Sequence, residues 1–244
     1  MLSQMLQRLR GKALFALPQP DQPLAIIGDI HGCLDLLQGL LAKLPAETQV
    51  ILVGDYIDRG EDSQGVLQLL TERPDLICLR GNHEEMMIQF LTDPTSYGRR
   101  WLQHGGLQTL ASFGIVGVHT NASLEALEEC RDALLVAMGA DLQFFLQNLR
   151  PCYLSGNVLV SHAGADPAKA PESQDPQNLI WGHPNFEKTP RQDGIWVVYG
   201  HVIQGHPKIS KGRIAIDTGA YATGRLTAAY ISPGMDPVFV SSQR

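Results

Sequence analysis

This sequence has few cysteines, no excess of basic over acidic residues and no long apolar run. The 244 residues include four cysteines without closely spaced pairs, so neither a zinc knuckle nor a disulfide framework is indicated. The formal net charge of −6 does not favour a large nucleic-acid surface. No segment approaches the roughly 20 apolar residues of a membrane span, and the apolar stretch at residues 13–17 is too short for a signal peptide. We therefore expect a cytoplasmic protein that binds neither nucleic acid nor a membrane.

The composition is that of a folded domain. Hydrophobic residues make up 44% of the chain, which is enough to bury a sizeable core. We expect a single domain over residues 1–244, with an N-terminal extension at 1–23 and an inserted helical cap at about 85–150. The sequence does not specify an oligomeric state.

Four short motifs each place polar, metal-ligating side chains directly after an apolar run. Asp29 precedes Asp55 by 26 residues and Asp55 precedes Asn82 by 27, about one strand-plus-helix unit each. This spacing predicts that the first three motifs meet at one edge of a sheet. The four motifs are Gly28-Asp29-Ile30-His31-Gly32, Gly54-Asp55-Tyr56-Ile57-Asp58-Arg59-Gly60, Gly81-Asn82-His83-Glu84 and Ser161-His162-Ala163-Gly164.

The first third of the chain alternates between strand and helix patterns. Residues 24–28, 50–54 and 76–80 are rich in Val, Ile and Leu and predict central, parallel strands. Residues 33–44 and 65–72 have apolar residues at helical spacing, and Pro45 and Pro74 mark where these helices cannot continue. A layered α/β sheet follows, and ligands of such sheets gather beyond the carboxyl ends of the strands.

The remainder of the chain has a different pattern. Residues 85–150 are predicted to be helical and form the inserted cap. The later apolar segments predict mostly antiparallel strands at residues 157–161, 195–199, 213–216, 226–231 and 237–241. Residues 164–194 contain five prolines and predict a long, ordered and functional loop. We interpret Asp217 as a turn-forming residue and not as a ligand.

The polar residues of the motifs suit hydrolysis of a phosphoester. This reaction requires a strong nucleophile, neutralisation of the phosphoryl oxygens and a proton for the leaving oxygen. Two metal ions about 3.5–4 Å apart meet the first two requirements through an activated hydroxide and a clamped phosphate. The lack of thiolates favours manganese, with iron or zinc as alternatives. The candidate ligands are Asp29, His31, Asp55, Asn82, His162 and His201.

Other residues in the same motifs suit the remaining tasks. His83 follows a candidate ligand and is free to act as the general acid, with Asp58 orienting its ring. Arg59 and Arg80 offer planar guanidinium groups for phosphate oxygens, and we assign Asn82 to phosphate as well as to metal.

The motifs, together with residues 199–202, resemble the signatures of calcineurin-like metallophosphoesterases, in particular the bacterial and phage-type serine/threonine phosphoprotein phosphatases. The resemblance extends over about residues 24–228. It implies an α/β two-sheet sandwich flanked by helices, with the site at the strand ends, and a phosphomonoester hydrolase of the serine/threonine protein phosphatase type. The implied roles are Asp29 and His31 on one metal, Asp55 bridging, Asn82, His162 and His201 on the other, His83 as acid paired with Asp58, and Arg59 and Arg80 on phosphate.

Two alternatives remain open on the sequence alone. A symmetrical dinucleoside polyphosphate hydrolase resembles the chain over the same motifs, but it usually has Asp at the position of Glu84 and is longer. A non-catalytic, metal-holding adaptor is expected to lack a ligand or the acid, and none is missing here. We rank a phosphatase that acts on a phosphoprotein or a small phosphoester above these two alternatives.

One position departs from the resemblance. Two residues after Trp181 the family usually has an arginine that holds phosphate, whereas this chain has His183. His183 itself, Lys188 or Arg191 could take over that role, or the substrate does not require it.

Overall fold

The computed structural model describes residues 15–243, so the first 14 residues of the predicted N-terminal extension lie outside the described part. Two five-stranded sheets form the centre of the protein. The strands are β1 (Leu24–Ile27), β2 (Gln49–Leu52), β3 (Ile77–Cys78), β4 (Cys152–Ser155), β5 (Val158–Ser161), β6 (Trp196–Tyr199), β7 (Lys208–Ser210), β8 (Arg213–Ala215), β9 (Arg225–Ile231) and β10 (Val238–Gln243).

Helices surround the sheets. They are α1 (Leu34–Leu41), α2 (Ser63–Thr71), α3 (Asn82–Thr92), α4 (Pro94–Trp101), a π-helical turn (Leu102–Gly106), α5 (Leu107–Ser112), α6 (Leu124–Gln147), a 3₁₀ turn (Pro171–Ser173), α7 (Pro176–Trp181) and α8 (Ala220–Thr223). Within residues 15–243, no helix is both long and apolar enough to cross a membrane.

The first sheet has the order β10-β9-β1-β2-β3. Strands β1, β2 and β3 pair in parallel, as their apolar runs predict, while β9 and β10 pair antiparallel. Strand β3 is only two residues long and lies at the edge of the sheet, so the prediction of a central strand at residues 76–80 is wrong there. The short third strand still ends directly before the Gly81 motif.

The second sheet has the order β4-β5-β6-β8-β7. Strands β5, β6 and β8 pair in parallel and only the outer β4 and β7 are antiparallel, so the prediction of mostly antiparallel strands is wrong for this sheet. Parallel neighbours require a crossover of a dozen or more residues. The proline-rich segment between β5 and β6, which contains α7, provides it.

The two sheets pack face to face around one apolar layer. Alternate residues of β1, among them Ile26, contact alternate residues of β5 and β6, such as Val160 and Val198, and all three are fully buried. On the opposite face of the first sheet, Ile27 and Leu52 pack against the helices. Full burial of one such side chain contributes about 1.5–3 kcal/mol. The two-sheet α/β sandwich flanked by helices is therefore confirmed.

Residues 82–147, here called the helical segment, connect the two sheets. Helices α3, α4 and α6 and the turn between α4 and α5 bury one common cluster that includes Phe90, Trp101 and Leu127. Phe90 and Trp101 stack with their ring centroids 4.7 Å apart. This packing fixes the helical segment beside the carboxyl ends of the first sheet.

Candidate metal centre

The predicted site residues follow the carboxyl ends of strands in both sheets. Asp29 follows β1, Asp55 follows β2, His162 follows β5 and His201 follows β6, while Asn82 opens α3. Because the two sheets pack face to face, these strand ends meet at one edge of the sandwich.

The backbone is strained at this edge. Six non-glycine residues in the described chain have a left-handed backbone; four of them belong to the motifs and a fifth is the candidate ligand His201. Such conformations cost of order 1–3 kcal/mol each and cluster at functional sites. The sixth is Lys211, in a hairpin turn. The five are His31 (φ 46°), Asp55 (φ 53°), Asp58 (φ 71°), Arg59 (φ 68°) and His201 (φ 66°).

Asp55 lies between two groups of potential metal ligands. Its Oδ2 is 3.6 Å from Nε2 of His31 and 3.9 Å from Nε2 of His83, and these three residues form one group. Its Oδ1 is 3.4 Å from Nε2 of His162, which forms the second group with Asp55 and His201. A carboxylate shared by two ligand groups suits a pair of metal ions.

Asn82 completes the second group. Its Oδ1 is 2.8 Å from Nε2 of His162 and 2.8 Å from Nδ1 of His201. The two imidazole nitrogens are 3.1 Å apart. One amide oxygen and two ring nitrogens thus converge on a small volume, as the ligands of a transition metal do.

The histidines are held in a state that suits metal binding. Nδ1 of His31 lies 2.8 Å from the carbonyl oxygen of Ile57, which can only accept, so Nδ1 carries the proton and Nε2 presents its lone pair towards Asp55. Burial lowers the pKa of His31 to about 3 and that of His162 to about 4. Neutral imidazoles are the form that binds a metal, so these residues fit a metal centre.

Asp55 is held as a carboxylate. Burial on its own raises the pKa of Asp55, but the imidazoles of His162, His83 and His31 outweigh this effect and bring it below its usual value. The backbone N–H of His83, at the start of α3, also donates to Oδ1 of Asp55 at 3.1 Å. The N-terminus of a helix favours negative charge.

His83 and Asp58 form a buried pair. Nδ1 of His83 lies 2.7 Å from Oδ2 of Asp58, and both side chains are almost fully inaccessible. Burial on its own lowers the pKa of His83, but the carboxylates of Asp55 and Asp58 raise it above its ordinary value. His83 therefore retains a proton more readily than a free imidazole does.

Three residues that the sequence analysis did not single out fix Asp58. The indole N–H of Trp101 donates to both carboxylate oxygens, at 3.1 and 3.0 Å, and the hydroxyl of Thr109 donates to Oδ1 at 2.6 Å. Ser63 Oγ accepts from the backbone N–H of Asp58 at 3.1 Å. Trp101 and Thr109 belong to the helical segment, and nothing in their sequence surroundings indicates a contact with Asp58.

Glu84 holds the turns that carry the ligands. Its Oε2 accepts from the backbone N–H groups of Asp55, at 2.8 Å, and Gly81, at 2.9 Å, while Oε1 accepts from that of Tyr56 at 2.8 Å. Burial raises the pKa of Glu84 to about 7. Gly54 (φ 115°) permits the same close approach, since a Cβ there would lie 2.4 Å from the backbone nitrogen of Gly81. Glu84 belongs to the third motif, but the sequence does not predict that its side chain holds these turns in place.

Asp29 lies at the same edge, with its carboxylate turned towards His201. Both oxygens accept from the backbone N–H of His201, at 3.1 and 3.0 Å. Asp29 does not belong to either of the two ligand groups among the described residues. Burial and the nearby Asp217 raise the pKa of Asp29. Asp217 accepts from the backbone N–H of Gly219 at 2.8 Å, which is the turn-forming contact expected of it.

The two arginines assigned to phosphate occupy different surroundings. A guanidinium nitrogen of Arg59 lies 3.3 Å from Nε2 of His31, and the group stacks over the ring of Tyr221 at 5.1 Å from its centroid. Arg80 instead donates to Glu85 at 3.3 Å and to the carbonyl of Gln147, near the end of α6, at 2.9 Å. The structure brings Arg59 to the ligands and leaves Arg80 engaged with the helical segment.

The residues that could replace the phosphate-binding arginine absent at position 183 also differ in their contacts. Arg191 is buried and donates to the carbonyls of Asp166 (2.9 Å) and Lys169 (2.7 Å) and to Asp193, so it holds the crossover segment together. Nε2 of His183 lies 3.8 Å from Oδ2 of Asp166. Arg191 is thus fully used in structural contacts.

Comparison with known proteins identifies the family. The profile of the calcineurin-like phosphoesterases matches residues 22–205. The chain belongs to this family. It is therefore a metal-dependent phosphoesterase and a hydrolase.

Several relatives of this metallophosphoesterase have assigned names. An asymmetrical bis(5'-nucleosyl)-tetraphosphatase, PrpE, from Oceanobacillus iheyensis is 28% identical over 90% of this chain and 92% of its own length. Serine/threonine-protein phosphatase 1 of Salmonella typhimurium is 40% identical, but over only 33% of this chain and 38% of its own. The crystal structure of a proposed diadenosine tetraphosphatase superposes with a TM-score of 0.63 over 93% of this chain and 97% of its own, at 21% identity, which shows the shared fold.

Within a metallophosphoesterase the observed arrangement has a clear division of tasks. When bound, a pair of divalent ions supplies Lewis acidity and lowers the pKa of water. Asp55, flanked by imidazoles on both sides, is placed to hold such a pair. His83, whose ring Asp58 holds, would keep a proton beside them, and Arg59 would offer donors to phosphoryl oxygens.

Proposed function

We propose that this metallophosphoesterase hydrolyses dinucleoside polyphosphates, and that it cuts a tetraphosphate asymmetrically, into a nucleoside triphosphate and a nucleoside monophosphate. The observation that carries this proposal is the extent of the match to the PrpE relative, 90% of this chain and 92% of that protein. The protein phosphatase of Salmonella typhimurium matches only 33% of the chain. This proposal places dinucleoside polyphosphate hydrolysis above protein phosphatase activity, which reverses the ranking from the sequence alone. It also proposes asymmetrical cleavage, whereas the sequence analysis considered the symmetrical type.

The site geometry supports hydrolysis of a phosphoanhydride. Of the two arginines predicted to bind phosphate, Arg59 and Arg80, Arg59 lies beside the ligand groups. A single guanidinium there suits a substrate whose other phosphates bind elsewhere. A phosphate leaving group departs with little help from an acid, whereas an alkoxide depends on one.

The proposal is tested by comparing substrates on metal-loaded protein. We expect kcat/KM for diadenosine tetraphosphate to exceed that for a phosphoserine peptide and for p-nitrophenyl phosphate by about tenfold or more. Chromatography of the products should give ATP and AMP in equal amounts. Two ADP molecules would indicate the symmetrical cut, and a higher kcat/KM for the phosphopeptide would overturn the proposal. Asp55→Asn, which alters the shared ligand, serves as the inactive control.

A serine/threonine protein phosphatase is the second candidate, and one contact favours it. The buried His83–Asp58 pair, at 2.7 Å, provides a proton donor that the alkoxide of a serine side chain requires. The local identity of 40% over 84 residues to the Salmonella enzyme points in the same direction. The phosphopeptide arm of the substrate comparison decides between the two activities.

We also propose manganese as the working metal, with iron and zinc as alternatives. Carboxylate, amide and imidazole ligands without a thiolate suit manganese among the transition metals. Removal of metal by a chelator, followed by addition of one metal at a time, should restore the highest kcat with manganese. Higher turnover with zinc or iron would reject this assignment.

A further inference from the structure

A cavity of about 640 Å³ adjoins the candidate metal centre on the side of Arg59. Its lining consists of Arg59, residues of the turn between α4 and α5, the start of α5, Thr120 and Tyr221. This volume lies within the range of about 300–1,000 Å³ that is typical of small-molecule sites. A phosphate on the metals therefore has room beside it for a bulky substituent.

The cavity is attached to Arg59 through the backbone. The carbonyl of Gly105 accepts from the backbone N–H of Arg59 at 3.4 Å. Gly105 has φ 115°, and a Cβ there would lie 2.7 Å from the nitrogen of Arg59 and 3.0 Å from Cβ of Asp58, so only glycine permits this approach. The non-helical backbone of Gly105 breaks the helical path between α4 and α5 at this contact. The backbone of the cavity wall at Gly105 therefore packs directly against that of Arg59.

The residues around the cavity provide hydrogen-bonding groups of both kinds. Nδ1 of His104 lies 2.7 Å from the carbonyl oxygen of Arg100, which can only accept, so in the neutral ring Nε2 is an acceptor. The carboxamides of Gln103 and Gln108 are exposed and make no side-chain hydrogen bond within residues 15–243. They offer donors and acceptors together.

Tyr221 adds an aromatic surface next to the phosphate position. Its ring lies under the guanidinium of Arg59 and edge-on to His31, with ring centroids 5.2 Å apart, and the residue is 37% exposed. An aromatic ring, two free amides, an imidazole acceptor and an arginine at the entrance match a planar base attached to a charged phosphate chain.

We propose that this cavity, bounded by residues 102–108, Thr120 and Tyr221, binds one nucleoside of the substrate, with its base against the amides of Gln103 and Gln108 and its phosphate chain leading past Arg59. The inference rests on the proposed function for its natural ligand. It assigns the selectivity for nucleotides to the helical segment and not to the metal ligands.

The test fills the cavity with an indole. Gln103→Trp and Gln108→Trp place a large side chain in the space, and neither residue belongs to the catalytic machinery. Gln68→Trp, at an exposed position of α2 that does not line the cavity, is the matched control. The first readout is inhibition of p-nitrophenyl phosphate hydrolysis by ATP and by inorganic tripolyphosphate, at constant free metal concentration. The second is direct binding of ATP by calorimetry.

In the wild type, ATP should inhibit about tenfold or more strongly than tripolyphosphate, because only ATP carries the nucleoside. In both cavity variants this difference should disappear, while inhibition by tripolyphosphate stays within about twofold of its strength in the wild type. The Gln68→Trp protein should behave as the wild type in every measurement.

The outcomes separate this inference from the proposed function. Equal inhibition by ATP and tripolyphosphate in the wild type, or an unchanged difference in both variants, would overturn it. Loss of phosphopeptide turnover without any effect on ATP binding would show that the cavity binds a peptide and would also overturn it. If the wild type does not cleave diadenosine tetraphosphate and yet binds ATP through the cavity, the nucleoside site stands and the proposed function fails.

Discussion

Nδ1 of His83 is 2.7 Å from Oδ2 of Asp58, and the two side chains are buried beside the ligand groups of Asp55. The neighbouring carboxylates raise the pKa of His83 against the opposing effect of burial. This geometry suits a proton donor and its support, and Nε2 of His83 lies 3.9 Å from Oδ2 of Asp55. Its importance therefore depends on how much the leaving group requires a proton.

We predict that His83→Asn lowers kcat for a phosphoserine peptide by roughly 10²- to 10⁴-fold, which is the usual effect of removing a positioned acid. Substrates with good leaving groups, such as p-nitrophenyl phosphate and a phosphoanhydride, should lose much less. Steady-state kinetics on the three substrates measure this, and elemental analysis should show unchanged metal content.

An equal loss on all substrates would indicate that His83 orders the site and does not donate a proton. His119→Asn provides the control, because His119 is an exposed residue of the same helical segment.

The apolar patterns of the sequence predict the first sheet well. Strand β1 is fully buried and apolar throughout, and β2 ends in the buried residues Ile51 and Leu52, so both show the apolar pattern of inner strands. The edge strand β7 (Lys208–Ser210) was missed, because a three-residue exposed strand has no distinctive pattern. The parallel pairing of β5 and β6 was missed because the six-residue α7 in the crossover does not show a helical period.

The side chains around Asp55 could be predicted, since they follow strand ends at regular spacing, whereas their supports could not. Trp101 is 43 residues from Asp58 along the chain, and the contact depends on how the helical segment packs. The position of Arg80 could not be predicted from the sequence either, because its contacts with the end of α6 arise only in the folded chain. Tertiary packing determines both.

We predict that Trp101→Phe weakens the support of Asp58 while keeping most of the packing. The indole N–H donates to both carboxylate oxygens, and a hydrogen bond to a charged group contributes about 1.5–3 kcal/mol. Urea denaturation should show a loss of this size, and kcat for phosphoserine should fall more than kcat for p-nitrophenyl phosphate. Tyr97→Phe in the same helix is the control, since Tyr97 is 40% exposed. Equal losses on the two substrates would mean that Trp101 serves stability alone.

We predict that Glu84→Gln destabilises the protein before metal is added. Glu84 accepts from three backbone N–H groups, while a carboxamide has one oxygen and must direct its NH₂ group at one or more of these donors. One buried donor left without an acceptor costs about 1–3 kcal/mol. Denaturation of the metal-free protein should show this loss, whereas Glu128→Gln, at an exposed position of α6, should not. Unchanged stability of Glu84→Gln would argue against its role in holding the two turns.

We predict that the purified protein, after manganese loading and desalting, retains two metal ions per chain. Asp55 belongs to both ligand groups, whereas His201 belongs to one. Asp55→Ala should therefore lose both ions, while His201→Ala should retain about one, because Asp55 and His31 remain in place for the other ion. Elemental analysis of the three proteins measures these ratios, with the far-ultraviolet circular dichroism of each as a check on folding. A fully active wild type that holds one ion or fewer would rule out the paired centre, and equal retention by the two variants would show that Asp55 is not shared between two metals.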